Sequence, residues 1–248
     1  MANPLHQFEV HTIVPIQIGG IDASFTNSSL FMTIAVVVVT GFLVFSVQSR
    51  ALVPGRLQSV AELAYEFVAG MLRTNVGNEG RPYFPFIFSL FFFILMGNML
   101  GMVPYGFTFT SHLAVTLGMA VVIFLGTTII AFAKHGAGFF GFFLPHGTPW
   151  YVAPLLVPIE ILSYFFRPVS LGLRLFANMT AGHTLLKVFA GFAAGFVGSL
   201  GILGIFPALV PMVATIALTG LEFLIAFLQA YVYAVLACIY LNDALHMH

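Results

Sequence analysis

Charge is what this sequence has least of. Charged residues make up 6% of the chain against 60% hydrophobic residues, and the mean hydropathy is +1.05. A soluble domain carries about 25% charged residues, so a surface wetted on all sides cannot be built here. The chain must face lipid over most of its area, and its 29 Phe residues suit hydrocarbon. A basic excess is missing as well. The 8 Lys+Arg are matched by 8 Asp+Glu, which argues against nucleic acid as a partner, since that needs a basic surface. Cysteine is reduced to Cys238, which excludes an internal disulfide framework. Its apolar setting, AVLACIYL, reads as that of a small buried hydrophobe. The first 29 residues hold His6, Glu9, His11 and Asp22 but no Lys or Arg. A cleavable secretory signal starts with a positive stretch, so the first apolar segment is expected to stay as a span. HExxH, GxSxG and paired intramembrane aspartates are missing, and Asp22 and Asp243 lie near the ends, against an intramembrane hydrolase. No bound metal and no cofactor is expected.

The apolar runs then set an order along the chain. Residues 30–47 carry no charge and are long enough for one crossing. Arg50 and Arg56 follow, so the positive-inside rule predicts a periplasmic N-terminal segment at 1–29 and Arg50 in the cytoplasm. Residues 57–73 are different. Leu57, Val60, Leu63, Ala64, Phe67, Val68, Met71 and Leu72 recur at helical spacing, with Gln58, Ser59, Glu62 and Glu66 between them. That pattern predicts a helix lying on the membrane surface; a solvent-facing helix packed on protein is the other reading. A hairpin is expected over 84–132. Its arms meet at the charge-free link Pro104 to Ser111, and its far end carries Lys134 and His135. Asn98, inside the first arm, reads as helix–helix glue. A Gly/Pro-rich connection from Gly136 to Pro149 leads to two long apolar stretches, 152–189 and 207–241, separated by the Gly-rich segment Ala190 to Gly204. Each is longer than an upright crossing needs, so tilting or bending is required, with Pro154, Pro158, Pro168, Pro207 and Pro211 as places to bend. The expectation is an all-α polytopic membrane protein, a single membrane domain whose last hairpin, 152–241, is tilted.

Charges inside spans are costly and mark function by default. Here they gather late: Glu160, Arg167, Arg174, His183 and Lys187 in one stretch, Glu222 and then Gln229 in the other. At about 100° per residue, Glu160, Ser163, Arg167, Ser170, Arg174 and Asn178 form one stripe. It runs roughly 27 Å at about 1.5 Å per residue, close to the thickness of the hydrocarbon core. His183 points to the other side of that helix, and Glu222 shares a helix face with Gln229, so His183 and Glu222 could meet across the hairpin. Arg167 has Glu160 two turns away and could pair with it, and Arg167 and Lys187 could equally anchor at an interface. Arg174 has no acid at i±3 or i±4. Its guanidinium stays protonated in any protein setting, so it acts as a fixed charge, suited to attract a carboxylate from another subunit.

The segment Pro168 to His183, PVSLGLRLFANMTAGH, closely resembles the signature of subunit a of the F-type ATP synthase. The resemblance covers most of the chain. It includes Asn98, Gly101 and Pro104 at their mutual spacing, Glu160 upstream, and Glu222 followed by Leu228-Gln229-Ala230. The early sequence, HQFEVHTIVPIQIGG with FTNSSLFM, looks like the alphaproteobacterial branch, in a bacterial inner membrane. The resemblance implies a stator component of the membrane sector that does not bind ATP, with its C-terminus cytoplasmic. It would hold two proton half-channels against the rotating c-ring, with subunit b and membrane lipid as further partners. Arg174 matches the family's essential arginine, facing the ring carboxylate. His183 and Glu222 match a pair lining the inlet, whose acid and histidine occupy exchanged positions in some bacterial relatives. Gln229 matches the glutamine near the arginine, and Asn178, Ser170 and Glu160 match polar positions of the half-channels. A self-contained channel or secondary transporter is the rival, and it would be expected to carry its own acid near Arg174 and inverted repeats.

Overall fold

The computed structural model describes residues 8–18, 21–22, 24–48, 54–103, 106–143 and 151–246. His6, Arg50, Pro104 and Pro149 lie outside the described residues. The helices are α1 (Asn27–Val47), α2 (Arg56–Val76), α3 (Phe84–Met102), α4 (Leu113–His135), α5 (Ala153–Leu200) and α6 (Ile205–Leu245). Among the described residues, four segments are long and apolar enough to cross a bilayer: Asn27–Val47, Asn78–Met102, Leu113–His135 and Ala153–Leu245. The chain is therefore a multi-pass, all-α membrane protein. In hydrocarbon the backbone can satisfy its polar groups only within a helix or a closed barrel, and continuous apolar runs of this length choose the helix.

α1 has 21 residues, about 31 Å at ~1.5 Å per residue, one upright crossing. α5 has 48 residues and α6 has 41, about 72 and 62 Å along the helix. Each is about twice the hydrocarbon thickness, so neither stands upright. Pro158 and Pro168 lie inside α5 and Pro211 inside α6.

The structure differs from expectation in two places. The Gly-rich segment Ala190 to Gly204 separates the two apolar stretches only at its end. α5 continues to Leu200, and only Gly201–Gly204 forms a tight 3-10 turn, entered through Gly201 at φ +57°, a conformation that suits glycine. A helical glycine costs about 1 kcal/mol relative to alanine. Leaving backbone groups unpaired in lipid costs more, so the helix survives its glycines. The second difference is the segment before α1, where β1 (Thr12–Val14) pairs antiparallel with β4 (Phe25–Thr26) and β2 (Gln17–Ile18) with β3 (Ile21–Asp22). Thr12-Ile13-Val14 is β-branched throughout and favours strand. Asn27, the first residue of α1, ties this ladder to the helix: its Nδ2 donates to the Glu9 carbonyl at 3.0 Å and its Oδ1 accepts from the His11 amide at 3.1 Å.

The chain forms two compact units. The first gathers residues 1–42, 92–112 and 175–230; the second gathers 43–91, 113–174 and 231–248. Phe109, Leu175, Met179, Ala226 and Ala230 are buried in the first, with the Phe93 and Phe109 rings 5.2 Å apart. In the second, Ile87, Ile123, Leu171, Tyr233, Ala234 and Cys238 are buried. The Tyr233 hydroxyl donates to the Thr116 carbonyl at 3.2 Å. α2 buries Val68, Met71 and Leu72 but leaves Leu57, Val60 and Leu63 exposed, and its Phe67 ring lies 5.6 Å from that of Phe91. One side of this helix thus packs on protein, and an apolar strip stays uncovered.

Gly172 sets the closeness of α4 and α5. A Cβ there would lie 3.0 Å from the Leu117 Cα and 3.1 Å from its amide nitrogen, backbone atoms that cannot swing aside. Overpacking costs about 1–3 kcal/mol. Gly172→Val is expected to lower the membrane-inserted chain several-fold, measured by immunoblot of washed membranes against wild type. Undiminished levels would show that this crossing has slack.

Candidate functional site

In the first unit α5 carries His183 and α6 carries Glu222, and the helices bring the two together. His183 Nδ1 stands 3.2 Å from Glu222 Oε1, with the side chains only 8% and 4% exposed. The distance is that of an ion pair, but the approach is off the line of a hydrogen bond, so both carboxylate oxygens are buried without a hydrogen-bond donor. An unsatisfied buried polar group costs about 1–3 kcal/mol. Packing alone gives no reason to keep a carboxylate under that cost. On its other nitrogen the imidazole shares a hydrogen bond with Thr108: Nε2 to Oγ1 is 3.0 Å. If Thr108 donates, the ring proton sits on Nδ1, facing Glu222; if Thr108 accepts, Nε2 carries it.

Around this pair runs a set of hydroxyls and amides. Ser111 Oγ donates to the Thr108 carbonyl at 2.6 Å, and Thr180 Oγ1 to the Ser111 carbonyl at 3.2 Å. Thr110 Oγ1 donates to Asn98 Oδ1 at 2.7 Å, and Asn98 Nδ2 donates to the Ala226 carbonyl at 3.0 Å. Asn98 therefore does act as glue. It ties α3 to the turn of α6 that follows Glu222. Sequence reading treated the link from Pro104 to Ser111 as a neutral turn and missed Thr108, Thr110 and Ser111. The available signal was three Ser and Thr hydroxyls packed into so short a link. Beside them, His112 stacks on Phe107 at 5.1 Å, and burial holds its imidazole below the usual range.

Gly182 admits Glu222 to this place. A Cβ there would lie 2.8 Å from Glu222 Oε1. The carboxylate is the mobile partner, so Gly182→Ala should keep the fold and push Glu222 off His183. The expected result is a loss of about tenfold, which is ~1.4 kcal/mol, in the proton transport that the resemblance implies, with normal chain levels. Full pumping would show that the 3.2 Å approach does not matter.

In the second unit Arg174 is exposed on α5, among the exposed apolar side chains of Val169 and Leu173. Among the described residues no carboxylate pairs with it. Arg167 behaves differently. Its Nη1 lies 2.9 Å from Asp243 Oδ2, and its guanidinium sits 5.5 Å from the ring centres of both Tyr164 and Tyr240. Tyr164 in turn shares a 2.6 Å hydrogen bond with Thr128. Asp243 looked like a mere terminal acid, because helical spacing reads contacts within one helix and this one joins α5 to α6. Along α5, Glu160 is half-buried while Ser170, Asn178 and Lys187 are exposed; on α6, Gln229 is half-buried. None of these five makes a close polar contact among the described residues. In those residues no group of three His, Cys, Asp or Glu could hold a metal ion.

The sequence model of a family described as ATP synthase A chain matches residues 29–242. The chain belongs to the ATP synthase A chain family. It is 57% identical to a protein named ATP synthase subunit a from Paramagnetospirillum magneticum, over 100% of both chains. A protein of the same name from Allorhizobium ampelinum is 58% identical over 98% of this chain and 97% of its own. A third, from Rhodospirillum rubrum, is 54% identical over 100% of each. The family match covers all of α5 and α6 up to residue 242, and with them Arg174, His183 and Glu222.

Proposed function

We propose that this chain is the stationary subunit of the ATP synthase membrane sector, and that it passes protons along two half-channels facing a rotating ring of c subunits. The observation that carries the reading is Arg174: a permanent cation on an apolar, exposed helix surface, with no carboxylate paired to it among the described residues. Such a surface is suited to meet an apolar partner that supplies the anion. The chain itself binds no ATP in this reading; subunit b would brace it.

A proton enters from the periplasmic side and reaches His183 and Glu222, whose contact lets it move between imidazole and carboxylate. It then neutralises a ring carboxylate, which can turn into lipid at a lower desolvation cost. After nearly a full turn the carboxylate returns by the path that includes Glu160 and Ser170, and Arg174 favours its ionised form. The fixed charge also blocks a direct run between the half-channels. Asn178 and Gln229, on the same two helices, supply polar stations between inlet and ring. The driving force is about 2.3 kcal/mol per charge per 100 mV. The absence of basic residues before Arg50 supports a periplasmic N-terminus in the bacterial inner membrane. If α1, α3, α4, α5 and α6 each cross, the C-terminus is cytoplasmic, and α2 rests its uncovered Leu57, Val60 and Leu63 in the interface.

Disulfide trapping tests the arrangement. In a Cys238→Ala background, Asn178→Cys should cross-link, within the assembled complex, to a cysteine placed one turn from the ring carboxylate. Ile202→Cys, in the turn between α5 and α6, should not. No adduct from Asn178→Cys under oxidation, with the complex intact, would sink the ring-facing assignment. The family match favours this function over a self-contained channel. Selective proton flux by the purified chain alone in liposomes would favour the channel.

A further inference from the structure

In the second unit, the C-terminal end of α2, the 3-10 turn Asn78–Tyr83 and the start of α3 enclose a cavity of about 450 Å³, lined by Tyr65, Leu72, Arg73, Asn78, Arg81 and Phe84 among others. We propose that this cleft binds the phosphate head group of one anionic phospholipid, gripped by Arg73 and Arg81.

The charge balance around the cleft carries the proposal. Glu79, the acid of the same turn, is taken: Lys134 Nζ lies 2.6 Å from its Oε2, and His246 Nε2 3.6 Å from its Oε1. Arg73 and Arg81 make no ion pair and no side-chain hydrogen bond among the described residues. Two guanidiniums therefore line one cavity with their charge uncompensated by the chain. The Gly77 amide donates to the Arg73 carbonyl at 3.0 Å, ending α2 and turning the backbone back, which places both arginines on one cleft. The C-terminal end of α2 opposes an anion here, but with roughly half a charge, and two full charges outweigh it. Guanidinium forks match phosphate oxygens in pairs, and the Asn78 side chain adds a donor.

The walls decide between a lipid and a free phosphate. Tyr65, Leu72 and Phe84 offer an apolar side to the cavity, which a free phosphate has no use for and an acyl glycerol does. Phe84 is the first residue of α3, which continues as a membrane-crossing segment, so the cleft lies at head-group height. Basic pockets between helices at such a level recognise anionic lipid head groups.

The test uses the intact complex in phosphatidylcholine nanodiscs containing a trace of photoactivatable phosphatidylglycerol. Wild type should be labelled on peptides spanning residues 65–85. Arg73→Ala with Arg81→Ala should cut that labelling by about fivefold or more, and Arg73→Lys with Arg81→Lys should keep most of it, since lysine still binds phosphate as a point charge. If the double alanine variant assembles poorly, Arg73→Gln and Arg81→Gln singly should each cut labelling at least about twofold, and high salt should weaken it. Labelling unchanged in every variant overturns the site. So does equal labelling by photoactivatable phosphatidylcholine, which would mark a non-selective lipid groove. Displacement by millimolar inorganic phosphate also overturns it, by assigning the cleft to the free anion.

Discussion

Arg174→Ala is expected to abolish ATP-driven proton pumping in inverted membrane vesicles while leaving the chain in the membrane at normal level. The magnitude follows from electrostatics. At the roughly 4 Å separation of an ion pair, two unit charges interact by about 4 kcal/mol at an effective dielectric of about 20. That is about three orders of magnitude in a rate, enough to put pumping below detection. The fold should not notice the change, because Arg174 is exposed and pairs with no carboxylate among the described residues. Arg167→Ala is the contrast. It removes the partner of Asp243 and two ring contacts, so its damage should appear first as a lower chain level. Fluorescence quenching of a pH dye in vesicles, normalised to immunoblotted subunit, separates the two. Pumping by Arg174→Ala at the wild-type rate would end the fixed-charge reading.

The second large effect concerns the buried pair. His183→Ala and Glu222→Ala each leave one polar group alone in an apolar interior. Each also removes one station of the proposed proton path, so each single variant should pump less than about one hundredth of wild type, which corresponds to ~3 kcal/mol on the barrier. The exchanged variant, His183→Glu with Glu222→His, retains one acid and one imidazole at the two positions whose side chains meet at 3.2 Å in this chain. Thr108, now bonded to the imidazole at 3.0 Å, can donate to a carboxylate in its place. The exchange is therefore expected to recover pumping to within about tenfold of wild type. An exchanged variant worse than both singles would show that the two residues act separately. Gly182 must be kept in all of these, because a side chain there presses on the same carboxylate.

Much of the architecture was legible before any coordinate. The 6% charge and the long uncharged runs meant helices in lipid, since hydrocarbon leaves the backbone only a helix or a closed barrel and continuous apolar runs of this length suit the helix. Arg174 was legible for the same reason: a cation with no acid at helical spacing stands out in an apolar run. The meeting of His183 with Glu222 was open to helical geometry, because periodicity states which side of a helix a residue occupies. Thr108 was not legible. A hydroxyl in a neutral link is ordinary in sequence, and it becomes a partner of His183 only when the link folds against α5. Nor was Asp243, whose contact with Arg167 joins two helices whose mutual register no local pattern encodes. The glycines between Ala190 and Gly204 misled, because propensity measured in water understates how strongly lipid holds a helix together.

By itself, then, the sequence determined the solvent, the helices and the unpaired cation, all of which follow from which residues can bear hydrocarbon and at what spacing they recur. The tertiary structure alone decided which buried polar groups touch. It set Thr108 on His183, Asn98 on the α6 backbone and Asp243 on Arg167. Such contacts depend on ångström-scale register between helices, and that register comes from side-chain packing across the whole chain, not from any stretch read alone.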